Sequence, residues 1–210
     1  MYEAVLFDFG GVFTQSPFEV VRLHGAEIGA DPELMLQVLF GDYDRDGDHP
    51  WHRLERGEVG LDDALAEIRS LAEATGLGID PFAAFSKFGT GGDMADAMVE
   101  RTRRLRAEGY RTALITNNVK EFGDGWRGLI PVDELFEVVI DSSHVGVRKP
   151  DPTIFSLATD ALGVAPERCV FLDDFPGNVT AAEALGIRGV LVGTDRHAAI
   201  ATLDRALAGD

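Results

Sequence analysis

The chain has 210 residues, 45% of them hydrophobic, a single cysteine and a formal net charge of -17. That size buries one good core and a smaller second one, while the acidic balance argues against nucleic acid or an anionic membrane as a partner. An anionic substrate therefore needs cations placed locally, and solubility accounts for most of the surplus charge.

The chain opens on Ala4-Val5-Leu6-Phe7-Asp8-Phe9-Gly10-Gly11. An apolar run ending in a lone aspartate and two glycines reads as a buried parallel strand with an exposed carboxylate at its end. The glycine N–H groups beside it can approach an anion closely. Met1 leads almost directly into this strand without a basic, apolar leader, and no apolar run nears membrane-spanning length. A cytoplasmic protein with no membrane partner is expected.

Helical signals follow. Ser16-Pro17-Phe18-Glu19 reads as a capping box with proline at the first helical position, and the helix it opens ends at Gly29. Asp31-Pro32-Glu33 starts a second helix, Leu61 to Ala72 a third that closes near Gly76, and Asp80-Pro81 a short fourth. Asp42-Tyr43-Asp44-Arg45-Asp46-Gly47 copies the opening of a calcium loop. Its twelfth place is Arg53 where such a loop needs a bidentate Glu, so a solvated acidic loop is the better reading. Trp51 reads as a packed anchor and His52 as an ordinary surface residue. With no convincing strand from about 16 to 91, this region is expected to be an all-helical unit of its own, and the glycine-rich residues 89–92 a joint behind it.

Regular α/β alternation comes next. Asp93 caps a helix with Met94, Met98 and Leu105 inward, ending at Gly109. Strands are expected at 112–115, 136–140, 169–172 and 189–192, with helices from Asp151 to Gly163 and from Thr180 to Leu185. Such alternation predicts an α/β fold with a parallel sheet covered on both faces. Cys169 then lies in a buried strand as a small hydrophobe.

The polar residues gather at the strand ends. Asp8 ends the first strand, Thr116 and Asn117 the second and Asp173-Asp174 the fourth, while Lys149 follows the third. All these ends lie on one edge of a parallel sheet, where ligands bind. Together they suit phosphoryl transfer through an aspartyl-phosphate. Asp8 is the nucleophile, and a Mg²⁺ between Asp8 and one or both of Asp173 and Asp174 offsets the repulsion between carboxylate and phosphate. The Thr116 hydroxyl, the Asn117 N–H and the N–H groups around Gly10 and Gly11 hold the transferring oxygens, with Lys149 adding fixed positive charge. Taken singly, Thr116-Asn117 could cap a turn and Asp173-Asp174 could begin a helix. Arg148 reads as a solvated charge or a secondary phosphate contact, and Asn178 as orienting an aspartate or starting the next helix.

These segments resemble the four signature motifs of the haloacid dehalogenase superfamily. Asp8 stands as the nucleophile, Thr116 ends the second motif, Lys149 in Arg148-Lys149-Pro150-Asp151-Pro152 is the third, and Phe171-Leu172-Asp173-Asp174 with Asn178 the fourth. The resemblance spans nearly the whole chain. It implies a Rossmann-like core over 1–15 and 92–210, a helical cap over 16–91 that covers the site and selects the substrate, and the Gly10 carbonyl as a further metal ligand beside Asp8, Asp173 and Asp174. The implied partner is a small phosphorylated metabolite. Monomer and homodimer both stay open.

One position departs from the pattern. Most phosphatases of this family carry a second aspartate two residues after the nucleophile as acid and base, and here that place is Gly10. Losing such a catalyst costs about 10²- to 10⁴-fold. The reading preferred is a phosphatase for esters whose leaving group needs little protonation, such as a sugar 1-phosphate or an acyl phosphate, with Glu55, Glu58, His49 and His52 available as substitutes. Dehalogenation stands below it, because Asp173-Asp174 would put uncompensated charge beside the nucleophile. The remaining alternatives are a binding module that has lost turnover and phosphonate cleavage through a lysine, for which Lys87 is the sole candidate in the insertion.

Overall fold

The computed structural model describes residues 1–85 and 93–209, apart from the side chains of residues 82, 85 and 93–95. The joint expected at residues 89–92, Lys87 and the inward position of Met94 lie outside the described residues. After β1 (Ala4–Phe7) come α1 (Pro17–Ile28), α2 (Pro32–Phe40), α3 (Pro50–Glu55), α4 (Leu61–Ala74) and α5 (Pro81–Phe85). The chain continues through α6 (Asp93–Ala107), β2 (Arg111–Thr116), α7 (Val132–Leu135), β3 (Val138–Asp141), α8 (Ser142–Val145) and α9 (Pro152–Leu162). It closes with β4 (Cys169–Asp173), α10 (Pro176–Ala184), β5 (Arg188–Leu191) and α11 (Arg196–Ala208).

All strand pairs are parallel, in the order β3-β2-β1-β4-β5. β1 is central, with Phe7 beside Leu114 on one flank and Leu172 on the other. Successive side chains of a strand point to opposite faces. Val5, Phe7, Leu114 and Leu172 therefore pack with Met98, Leu105 and Leu203 of α6 and α11, while Leu6, Ile115 and Phe171 pack with Ile154, Phe155 and Ala182 of α9 and α10. This accounts for the near-continuous apolar character of the strands. Cys169 is buried here, and burial pushes its thiol up to about 11.

Helices α1 to α5 build a third cluster around Met35, Leu39, Trp51, Leu54 and Ile68, which Val119 from the stretch after β2 joins. The start signals of α2 and α9 act as expected, since the Asp31 and Asp151 side chains accept from N–H groups of their first turns. Ser16 differs. It sits at the start of α1 but makes no capping bond, because its hydroxyl engages the Asp174 carboxylate instead.

Other elements also depart from expectation. β3 starts at Val138 and runs to Asp141, freeing Phe136 to pack edge-on against Phe7 and Phe13. α10 begins at Pro176 rather than Thr180. Neither α3 nor α11 was expected: α3 is six residues long, and α11 turns inward mostly small residues, Ala199, Leu203 and Ala206.

Candidate active site

The C-terminal ends of β1, β2 and β4 meet over one cavity of about 400 Å³. Asp8 directly follows β1, and its N–H donates to Leu172 O at 2.8 Å, so its position is set by the sheet ladder itself. The carboxylate expected to be exposed is buried, with 7% of the residue accessible. Lys149 Nζ stands 2.6 Å from Asp8 Oδ1 and 2.8 Å from Asp173 Oδ2, and the lysine is itself buried.

Ligand oxygens of Asp8, Asp173 and Asp174 lie within 4.8 Å of one another. The aspartates differ in how they are held. Asp173 Oδ1 accepts from Phe175 N at 2.8 Å, and Asn178 Nδ2 reaches both Asp173 oxygens at 3.1 and 3.2 Å. Asn178 thus both belongs to α10 and orients an aspartate. Asp174 has a buried Oδ2 with no hydrogen-bond partner. Burial first, and the charge of Asp173 second, push the Asp174 carboxyl up to about 7. Burial likewise raises Asp8 well above the carboxylate range, against the lowering pull of Lys149 and with Asp173 and Asp174 adding to the rise. Burial also works against the Lys149 charge, but Asp173 and Asp8 beside it raise its pKa.

Three carboxylates against one ammonium leave a charge of about -2 in a buried cluster, a costly arrangement unless a cation neutralises it. The donors are all oxygen, which suits a hard divalent ion such as Mg²⁺. The unpartnered Asp174 oxygen is a ready ligand.

The remaining expected residues divide. Gly10, Thr116, Asn117 and Lys149 line the cavity. Thr116 makes only a marginal bond, 3.5 Å to Asn117 O. The Asn117 side chain grips the backbone of Lys149 from both ends, Nδ2 to Lys149 O at 3.0 Å and Lys149 N to Oδ1 at 2.8 Å. Gly11 is not brought to the cavity. Its N–H donates to Gln15 O at 3.3 Å, and at φ +70° a Cβ would stand 2.1 Å from the Asp174 carboxylate. Its lack of a side chain thus makes room for an aspartate rather than for an anion.

Arg148 corrects the expectation of a solvated charge or phosphate contact. It is fully buried, with Nε 2.7 Å from Glu55 Oε2 and its guanidinium 4.3 Å from the Tyr43 ring. Glu55 Oε1 accepts from Tyr43 OH and Trp51 Nε1, both at 2.7 Å, and Tyr43 OH accepts from Asn117 Nδ2 at 3.0 Å. The helical segment is therefore tied to the loop that carries Lys149. Trp51 packs as an anchor, whereas His52 is buried rather than on the surface. Asp46 of the acidic loop pairs with Arg56 and, at 3.4 Å, with Arg148. Tyr43 escaped the sequence reading as a site residue, and so did the pairing of Arg148 with Glu55, for which the adjacency of Arg148 to Lys149 was the signal available.

A parallel sheet with a carboxylate and lysine cluster at its carboxyl edge defines a Rossmann-like hydrolase architecture. The chain matches the haloacid dehalogenase-like hydrolase family over residues 2–186 and belongs to it. It is 32% identical to mouse acyl-CoA dehydrogenase family member 10 over 196 residues, 91% of this chain and 18% of that protein. It spans 18–20% of the mouse, rat and pig bifunctional epoxide hydrolases that it also matches. With the sesquiterpene phosphatase astK of Aspergillus oryzae it shares 27% identity over 90% of this chain and 89% of the other. Among solved structures, a HAD family enzyme of Bacteroides thetaiotaomicron in complex with magnesium and inorganic phosphate superposes with a TM-score of 0.58. The identity is 21%, covering 93% of this chain and 96% of that one.

Proposed function

We infer that the protein is a Mg²⁺-dependent phosphohydrolase acting through an aspartyl-phosphate on a small phosphorylated metabolite. The observation that carries this is the buried cluster of Asp8, Lys149, Asp173 and Asp174 opening on a cavity. Phosphatases among the relatives support it. Asp8, Asp173, Asp174 and the Gly10 carbonyl would hold the ion, which supplies positive charge against which the phosphate is brought to the nucleophile. Asp8 Oδ1 bonds Lys149, and Oδ2 lies on the Gly10 side, 4.0 Å from where a Cβ would stand, as the oxygen that attacks phosphorus. Lys149, the Thr116 hydroxyl and N–H groups at Gly10 and Asn117 hold the transferring oxygens. Residues 16–91 act as the cap. Gly10 carries no proton donor, so the leaving group is one that needs little protonation. Dehalogenation is disfavoured because it would leave Asp173 and Asp174 beside the nucleophile with Lys149 alone set against the three carboxylates.

The test is phosphate release from acetyl phosphate and a panel of phosphate esters with and without Mg²⁺. Release is expected only with the ion and is lost in Asp8→Asn. Metal-independent halide release from a 2-haloacid, with no phosphate release, would overturn the reading.

A further inference from the structure

The cavity over Asp8 has a polar floor and an apolar chamber above it. Phe18, Phe40 and Tyr43 come from the helical segment, Phe122, Trp126 and Leu129 from the stretch after β2. Phe18 and Tyr43 meet edge-to-face at 4.9 Å, and Trp126 meets Phe9 in the same way at 5.0 Å. Phe122 and Leu129 stand 46% and 47% exposed, so apolar surface remains open at the chamber for a ligand to cover.

Among the chamber's described lining residues, outside the carboxylates assigned to the metal, no side chain is free to give a leaving group its proton. Outside the aspartates and Lys149, the ionisable groups among its described lining residues are Tyr43 and Glu55. Glu55 accepts from Tyr43, Trp51 and Arg148, so both its oxygens are engaged as acceptors. The Tyr43 proton points to Glu55, and burial together with that carboxylate raises its pKa well above 10.0. Lys149 Nζ is held between Asp8 and Asp173.

These two features select a leaving group jointly. A sugar would bring several hydroxyls against Phe18, Phe40, Phe122, Trp126 and Leu129, and above the polar floor it would find chiefly Thr14 and Gln15 as partners, because Asn118 is engaged by Asp141. An alkyl alcohol suits the walls but departs as a strongly basic alkoxide that needs an acid. An aromatic ring matches the walls, and its oxygen leaves readily as a phenolate. We propose that the substrate is an aryl phosphate monoester whose ring sits among Phe18, Tyr43 and Trp126. This rests on the phosphohydrolase reading. Asp8 forms a bond to phosphorus as the bond to the aryl oxygen breaks, and the electron pair leaves on the phenolate, which takes a proton from water. Water then adds to phosphorus and the Asp8–phosphorus bond breaks, so aryl phosphate and water give a phenol and inorganic phosphate.

The test measures kcat/KM with Mg²⁺ for 4-nitrophenyl, phenyl and 4-methoxyphenyl phosphates, cyclohexylmethyl phosphate, glucose 1-phosphate and acetyl phosphate. Phenyl phosphate is expected to exceed both cyclohexylmethyl phosphate and glucose 1-phosphate by about 100-fold. Gly10→Asp, which the backbone admits because its Cβ would stand 3.5 Å from Pro17, should narrow the gap between aryl and alkyl esters at least about tenfold. Trp126→Ala should raise KM for phenyl phosphate about tenfold, and by more than it raises KM for acetyl phosphate. If acetyl phosphate is hydrolysed but phenyl phosphate does no better than the cyclohexylmethyl or glucose ester, the proposal falls and the phosphohydrolase reading stands. If neither acetyl phosphate nor any ester releases phosphate, that reading falls and the proposal with it.

Discussion

Asp173 and Asp174 are neighbours in sequence, but the structure gives them different surroundings. Asp173 is fully buried and satisfied by Asn178, the Phe175 N–H and Lys149, whereas Asp174 keeps a buried oxygen with no hydrogen-bond partner. A group already held by three donors acts chiefly on what it holds, and a group with a free oxygen is the better ligand. Asp174→Asn should therefore raise the Mg²⁺ concentration needed for half-maximal activity about 10- to 100-fold. Asp173→Asn should instead lower kcat about 10²- to 10³-fold at saturating Mg²⁺ by loosening Lys149. Magnesium titrations of the two variants distinguish these outcomes, and identical profiles would show that the aspartates act alike. The doublet was visible in the sequence because both residues follow an apolar run. The division of labour was not, since it depends on Ser16, Lys149 and Asn178 from separate elements.

Helix α3 and the loop after α8 face each other through Glu55 and Arg148, and this is where sequence reading stopped short. Glu55 and Arg148 are separated by 93 positions, so nothing local marks Arg148 as the buried partner of a helix residue. Strand ends were legible because an apolar run followed by a polar residue is a local signal, while a buried ion pair exists only once the fold has formed. Removing one partner leaves the other charge buried and uncompensated, which costs about 3–5 kcal/mol. Arg148→Met should lower stability in chemical denaturation by that order, and Arg148→Met with Glu55→Gln should recover part of it. The same helix carries His52, whose imidazole is buried. Burial first, then the charges of Arg148, His49 and Arg56, lower its pKa to about 3, with the Phe40 carbonyl opposing and the Tyr43 ring packed against it. The unfolded chain protonates this imidazole near 6.5 and the folded one near 3, so its contribution is intact above pH 6.5 and is lost as pH falls below that value. Folding stability at pH 5 should be lower on this account by up to about 2 kcal/mol. His52→Phe should flatten the decline between pH 7 and 5 in thermal melts, and an unchanged slope would show that His52 is not its source.

At the scale of the molecule, 36 acidic residues stand against 19 Lys and Arg, while the one lysine in the catalytic cluster is occupied by two carboxylates. Composition alone disclosed this imbalance, but only the fold shows that the cation nearest the nucleophile is committed to internal pairs. A phosphate ester approaching such a surface meets net repulsion before it reaches the cavity, and the range of that repulsion is set by salt. The screening length shrinks from about 30 Å at 0.01 M to about 8 Å at 0.15 M ionic strength. Raising ionic strength across that range at fixed Mg²⁺ should therefore increase kcat/KM for a dianionic ester while leaving kcat unchanged, because encounter rather than chemistry is relieved. An increase of about two- to fivefold is expected from screened like-charge encounter. A decrease with added salt would mean instead that the potential at the cavity mouth is positive despite the net charge of -17, as it would be if the bound divalent ion dominated the local field.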